Sequence, residues 1–206
     1  MGLTGSSLIH EVGKRILGRY FESAGCRDVE LSPAMRTDPT GVDLRRTENL
    51  KRLTAKVKVD YYFGRDPLKT ADRDLTFYRA DINAYALEAI ADTATRAPGW
   101  ATASMADQLL YYRIAIPRPE AEVAALLESP DAVFFSELGV ERDELRVLPM
   151  LELRRWFESS VESYTPRPVM SGGRTARYRI VPISDVDAAV SGIQNLGTIY
   201  SRLLVR

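Results

Sequence analysis

The feature that most constrains the fold is an unbroken alternation of apolar and polar side chains across residues 52–64, "RLTAKVKVDYYFG". Successive side chains of a β-strand point to opposite faces of a sheet, so this pattern predicts a half-buried strand. One predicted face carries Leu53, Ala55, Val57, Val59, Tyr61 and Phe63. The other carries Thr54, Lys56, Lys58, Asp60 and Tyr62, which places two ammonium groups and a carboxylate in one row.

The segments on either side of this strand predict a hairpin preceded by a helix and a short strand. Residues 41–46, "GVDLRR", form the predicted partner strand, and "TENLK" at 47–51 forms the turn. Apolar residues recur at helical spacing through 5–25, and residues 26–33 alternate as a short strand does. Residues 64–74 read as a polar loop.

The rest of the chain predicts a mixture of short strands and helices. Strands are expected at 131–138 and 175–183, and helices at 119–129, 144–164 and 184–192. Residues 83–92 fit a helix or a strand, and 193–206 carry no assignment. The sequence therefore predicts a mixed α/β (α+β) fold around one sheet, within a single domain of 206 residues.

Composition excludes several kinds of site. The one cysteine, Cys26, excludes an intrachain disulfide and a cysteine zinc site, and the one histidine, His10, excludes most histidine metal sites. The chain has 28 basic and 28 acidic residues, but residues 36–58 hold seven basic against three acidic ones. No apolar run approaches the ~18 residues of a membrane helix. With no basic-then-apolar signal at the N-terminus, we expect a cytoplasmic protein that does not enter a membrane.

The polar face of the alternating strand has the groups that phosphate chemistry uses. Side chains two residues apart on a strand lie about 6.5–7 Å apart, which makes Lys56, Lys58 and Asp60 neighbours. Asp43, on the partner strand, is expected within ~5 Å of this row. A carboxylate offers hard oxygen to Mg²⁺, the metal acidifies a bound water, and a lysine steadies developing negative charge. The same residues equally fit a solvated strand face, so both interpretations stay open.

A resemblance to a known family rests on several motifs in order. These are the N-terminal helix, the short strand, "GVD" at 41–43, "KVK" at 56–58, "YALEAI" at 85–90, and "APGWATASMAD" before "QLLYYRIA". This order resembles a phage-type branch of the PD-(D/E)XK nuclease superfamily. The resemblance implies a restriction-endonuclease-like central sheet flanked by helices. It covers residues 7–116 as a nuclease-like core, with 117–206 as family-specific helices and a closing strand.

The resemblance also implies roles for individual residues. Asp43 would be the first metal carboxylate, and Lys58 would be the catalytic lysine. Asp60, which shares the strand face, or Glu88 would supplement Asp43 as a metal ligand. The expected cofactor is Mg²⁺, with Mn²⁺ as a substitute, and the expected reaction is hydrolysis of DNA by a metal-activated water. Supporting acids would come from Glu11 and Glu88. Lys56 would bind phosphate. Apart from the resemblance, the basic excess at 36–58 offers further phosphate contacts through Arg45, Arg46, Lys51 and Arg52, although a mixed surface has the same composition.

One departure from the family pattern divides the functional hypotheses. The carboxylate expected two residues before Lys58 is replaced by Lys56, and a cation at that place repels a divalent metal. One hypothesis is a divergent metal-dependent nuclease or nuclease-like DNA-binding protein. The alternative is a catalytically inactive nuclease-fold protein that serves as a binding or interaction module. A third is an unrelated domain that only shares the hairpin. The sequence leaves oligomeric state open, a homo-oligomer included.

Overall fold

The computed structural model describes residues 5–33, 41–63, 84–171 and 173–204. It confirms the mixed α/β fold, but with two sheets instead of one. The strands are β1 (Arg27–Leu31), β2 (Leu44–Glu48), β3 (Lys51–Phe63), β4 (Ala84–Asp92), β5 (Ala97–Pro98), β6 (Gln108–Ile116), β7 (Arg142–Pro149), β8 (Pro166–Ser171), β9 (Arg174–Pro182) and β10 (Gln194–Gly197). The helices are α1 (Gly5–Ser23), α2 (Trp100–Ala103), α3 (Glu120–Leu127), α4 (Asp131–Glu137), α5 (Met150–Ser160), α6 (Ile183–Ala189) and α7 (Tyr200–Leu203). A 3₁₀ turn follows α5 at Val161–Ser163.

The larger sheet has six strands in the order β1-β2-β3-β6-β7-β10. All neighbours pair antiparallel except β3 and β6, which run parallel over nine residue pairs from Ala55–Gln108 to Phe63–Ile116. The smaller sheet has the order β5-β4-β9-β8, all antiparallel. Its strand β4 belongs to the connection between β3 and β6, and that strand pairs with β9 from much later in the chain.

Two apolar cores occupy the two faces of the six-stranded sheet. The first packs α1, α3, α4 and α7 against it, and the alternating apolar residues Ala55, Val57 and Val59 belong to this core. A Cβ at Gly13 of α1 would lie 2.4 Å from Val59, so glycine is what lets helix and strand approach this closely. The second core lies on the opposite face, where β4, β9, α5 and α6 cover β6 and β7.

The N-terminal elements match the sequence predictions closely. Helix α1 ends at Ser23, and Gly25 follows at φ +87° with its N–H donating to the carbonyl of Glu22 at 3.0 Å. The hairpin of β2 and β3 is present, with its turn at Asn49 and Leu50. Residues 84–92, which the pattern left open, form a strand. The predicted polar loop at 64–74 lies outside the described residues.

Two predictions from the C-terminal half were wrong. Residues 131–138 form helix α4 instead of a strand, because Phe134 and Phe135 both pack into the first core from a helix that follows Pro130. The predicted helix at 144–164 begins only at Met150, and the residues before it form β7. Residues 193–206 supply β10 and α7. The division into a 7–116 core and a later part stays a prediction, and strands from both parts pair with one another.

Candidate functional site

Asp43 lies at the point where β2 and β3 separate. Its backbone N–H still donates to the carbonyl of Ala55 at 2.8 Å, but the regular strand begins one residue later, with Leu44 paired to Ala55. Beyond this pair, the side chain of Asp43 replaces the backbone as the hydrogen-bond acceptor: its Oδ2 accepts the N–H of Val57 at 2.8 Å. The carboxylate therefore satisfies a strand N–H that has lost its carbonyl partner.

The same carboxylate oxygen forms an ion pair with Lys56. The Lys56 Nζ lies 2.9 Å from Oδ2 of Asp43, and the two side chains are only 18% and 13% exposed. His10 of α1 places Nε2 3.7 Å from Oδ1, too far for a hydrogen bond. Burial alone would raise the pKa of Asp43, but the nearby His10 imidazole, the Lys56 ammonium and the Val57 N–H outweigh it and lower this pKa to about 2.

Glu11 of α1, the predicted supporting acid, forms an ion pair with a different lysine. Its Oε1 is 2.8 Å from Nζ of Lys14, one turn later on α1. Lys14 is almost fully buried and also donates to the carbonyl of Ser32 at 2.8 Å. The Glu11 carboxylate is thus already neutralised by a buried cation that joins α1 to the end of β1.

Lys58 and Asp60 form a second ion pair on the same face of β3. Their Nζ and Oδ1 atoms are 2.6 Å apart. The other oxygen of Asp60 accepts a short hydrogen bond from the hydroxyl of Tyr111 on β6, and this hydroxyl accepts the N–H of Ala86 at 2.8 Å. Full burial raises the pKa of Tyr111 well above its usual value, as does the charge of Asp60, so the hydroxyl stays a donor.

Glu88 of β4 lies near the Lys58–Asp60 ion pair but is hydrogen-bonded to other groups. Its Oε2 accepts the hydroxyl of Tyr178 at 2.7 Å, and its Oε1 accepts the N–H of Trp100 at 3.2 Å. The Lys58 ammonium lies 5.9 Å from the centre of the Tyr178 ring, within range of a cation–π contact. Burial and the Glu88 charge raise the pKa of Tyr178. Glu88 therefore anchors the smaller sheet to the start of α2.

The acids predicted to bind Mg²⁺ do not converge. Asp43, Asp60 and Glu88 are each held by separate protein donors, and Oδ2 of Asp43 already receives an ammonium and an N–H. Across residues 5–33, 41–63, 84–171 and 173–204 there is no group of three His, Cys, Asp or Glu side chains that could hold a metal ion. The residues present do not fit Mg²⁺ or Mn²⁺, because a lysine occupies the place of the cation.

The residues predicted to contact phosphate have unequal access to solvent. Arg46 is 2% exposed, with its guanidinium stacked 4.0 Å from the centre of the Phe21 ring and bonded to Gln108 at 2.7 Å. It therefore supports the fold and offers no surface to a ligand. Arg45 is half-buried, whereas Lys51 is exposed. Arg52 is 69% exposed, and its nearest carboxylate, that of Glu30, is 3.7 Å away.

Sequence reasoning missed the roles of Tyr111, Tyr178 and Asp107. The carboxylate of Asp107 accepts both the N–H and the hydroxyl of Thr54 at 2.8 Å, which fixes the start of β6 against β3. The aromatic run before Arg113 was a usable signal, because a buried tyrosine hydroxyl needs a hydrogen-bond partner. The position of His10 near Asp43 had no sequence signal.

Comparison with known proteins adds no relative: no protein-family model, curated protein or solved structure matches this chain. Among the described residues, no helix is both long enough and apolar enough to cross a membrane.

Proposed function

We propose that this chain is a nuclease-like DNA-binding protein in which Lys56 replaces the metal ion, so that it binds phosphates without hydrolysing them. The observation that carries the proposal is the 2.9 Å ion pair between Lys56 and Asp43 at the separation of β2 and β3. The order of α1, β1, the "GVD" segment and β3 also agrees with the resemblance. The motifs between residues 7 and 116 follow the order that the resemblance implies, whereas Lys56 departs from its charge pattern.

The charge of Lys56 weighs against a divalent ion at Asp43. At an effective dielectric constant of about 20, two unit charges ~4 Å apart interact by roughly 4 kcal/mol, and a divalent ion doubles this to about 8 kcal/mol. Of the two side chains in this ion pair, Asp43 alone offers a carboxylate to a metal, and that carboxylate already accepts the N–H of Val57. The described acids therefore do not support hydrolysis by a metal-bound water, and we favour DNA binding as the function.

The proposed binding surface is the polar face of β3. Arg52, Lys56 and Lys58 share it, because residues on one face of a strand alternate. Arg52 is the most accessible of the three, with its side chain 69% exposed, and Lys58 is 22% exposed. Basic side chains that neutralise phosphates release counterions, so binding through this face must weaken as salt rises.

Salt-dependent binding of a labelled 20-base-pair duplex tests this surface. Arg52→Gln should reduce the magnitude of the slope of log K against log salt by about 0.9, the value for one phosphate contact. Arg155→Gln is the matched control, because Arg155 is 67% exposed and likewise lies beside a carboxylate, that of Glu152. The proposal fails if the wild-type protein does not bind the duplex at low salt, or if both substitutions change the slope equally.

A second experiment separates binding from hydrolysis. The wild-type protein should leave plasmid DNA intact in Mg²⁺ or Mn²⁺. Lys56→Glu should gain Mn²⁺ binding, measured by calorimetry, since it places a second carboxylate beside Asp43; Lys51→Glu, on an exposed site, is the control. Nicking by the wild-type protein that disappears in Asp43→Ala and Lys58→Ala would instead establish the metal-dependent nuclease.

A further inference from the structure

The turn between β2 and β3 contains a leucine in a conformation that suits glycine. Glu48 pairs with Lys51, so the loop has two residues, Asn49 and Leu50, at φ +50° and +65°. Two-residue turns with both residues at positive φ favour asparagine followed by glycine. Asn49 fits this preference, but a left-handed backbone is unfavourable for a leucine because its Cβ crowds the carbonyl oxygen.

Leu50 gains nothing from packing in return. Its side chain is 94% exposed, more than any other large hydrophobic side chain in the described part of the chain, with Met170 next at 81%. A single exposed leucine is ordinary on a protein surface. A leucine that is both fully exposed and held in a strained turn lacks an explanation within the fold, and such strain is characteristic of functional positions.

The surroundings of Leu50 indicate a polyanionic partner. Lys51 and Arg52 follow it directly and are exposed, and exposed Arg27 of β1 lies across from Thr47. The nearby carboxylates have protein contacts: Asp28 accepts the Thr47 hydroxyl, Glu48 pairs with Arg46, and exposed Glu30 lies 3.7 Å from Arg52, where a phosphate would replace it. An apolar tip between cations matches the way DNA-binding proteins wedge a leucine between base steps in the minor groove. One leucine is too small an apolar contact to hold a protein on a lipid surface.

We infer that the β2–β3 turn is a DNA wedge. Leu50 enters the minor groove of a duplex that lies along β3, and Lys51 and Arg52 contact the flanking phosphates. This inference rests on the proposed function and identifies its partner as double-stranded DNA. Lys56 follows Leu50 by six positions, which is about 20 Å of strand at ~3.3 Å per residue and matches about six base pairs at 3.4 Å each.

Substitution of Leu50 tests the wedge, because stability and binding should change in opposite directions. Leu50→Gly produces an Asn-Gly turn, which should raise the unfolding midpoint by about 2–4 °C. The same variant should bind a 20-base-pair duplex about tenfold more weakly and lose the fluorescence increase of 2-aminopurine that reports unstacked bases. Leu50→Met should bind within about twofold of wild type, because it keeps an apolar tip.

Controls and contrary outcomes separate the wedge from the proposed function. Leu151→Ser changes a leucine that is 49% exposed on α5, and it should bind like the wild type. If the wild-type protein binds duplex DNA with salt dependence but Leu50→Gly binds equally well, the wedge is refuted and the proposed function stands. If the wild-type protein shows no such binding, both are refuted. Loss of binding to phosphatidylglycerol vesicles in Leu50→Gly, with DNA binding unchanged, would also refute the wedge.

Discussion

The ionised form of Asp43 should stabilise the fold, and the structure sets the size of this effect. The pKa of Asp43 is about 2 in the folded protein against 3.8 as the ordinary value. At 1.36 kcal/mol per pKa unit, ionisation of this carboxyl contributes about 2 kcal/mol to the free energy of unfolding at pH 7. Asp43 is only 13% exposed, so solvent screening does not remove the contribution.

The direction of the pH dependence follows from the lowered pKa. Because the folded state binds this proton less tightly than the unfolded state, the stabilisation is complete above pH ~4 and disappears as pH falls toward about 2. About half of it should remain at pH 3. Asp43→Asn keeps an oxygen for the N–H of Val57 but removes the charge that faces Lys56.

Urea unfolding of the wild type and Asp43→Asn, compared from pH 7 to pH 3, measures this contribution. With a denaturant slope of about 2 kcal/mol per molar urea, the midpoints should differ by about 1 M at pH 7 and by about half that at pH 3. The comparison is repeated in a His10→Gln background to remove the imidazole that also faces Asp43. A difference between the variants that is the same at both pH values would show that charge is not responsible, and the reasoning would be refuted.

Two further predictions concern packing and buried hydrogen bonds. Gly13→Ala should destabilise the protein by about 1–3 kcal/mol in urea unfolding, because the new Cβ meets Val59 at 2.4 Å, and Val59→Ala should relieve most of that cost; equal costs in the two backgrounds would contradict this. Asp143 is 5% exposed and accepts the N–H groups of Ile199 and Tyr200, so Asp143→Ala should cost about 3 kcal/mol by leaving buried donors unpaired. Asp131→Ala, at a carboxylate that is 61% exposed, should cost less than about 1 kcal/mol, and similar losses for both would argue against the buried role.

Strand β3 was located from the sequence because it has one buried face. The alternation in β3 survives because its apolar side chains meet α1 while its charged ones stay partly exposed. In β7, residues 145–148 are all buried, since cores lie on both faces of the sheet there, and alternation is lost. Helix α4 had a signal in the proline that precedes it and the aspartate at its start, but its adjacent phenylalanines resembled a strand.

The candidate site was predictable in part. The shared face of Lys56, Lys58 and Asp60 followed from strand periodicity alone. The turn determines which lysine lies opposite Asp43 across the hairpin. With Asn49 and Leu50 as the two loop residues, counting back along the hairpin places residue 43 opposite Lys56 and not opposite Lys58. The leucine at the second turn position concealed this register, because glycine is expected there. The contact of Glu88 with Tyr178 could not be predicted, since it depends on how β4 and β9 pair.

The pairing of β4 with β9 has a consequence for folding during synthesis on the ribosome. Glu88 is synthesised 90 residues before Tyr178. At ~5–20 residues per second, β4 therefore lacks its partner strand β9 for roughly 5–20 s. Throughout this interval the nascent β4 offers an unsatisfied edge to chaperones and to other newly made chains. Slowing translation between these two strands should therefore lower the yield of correctly folded product.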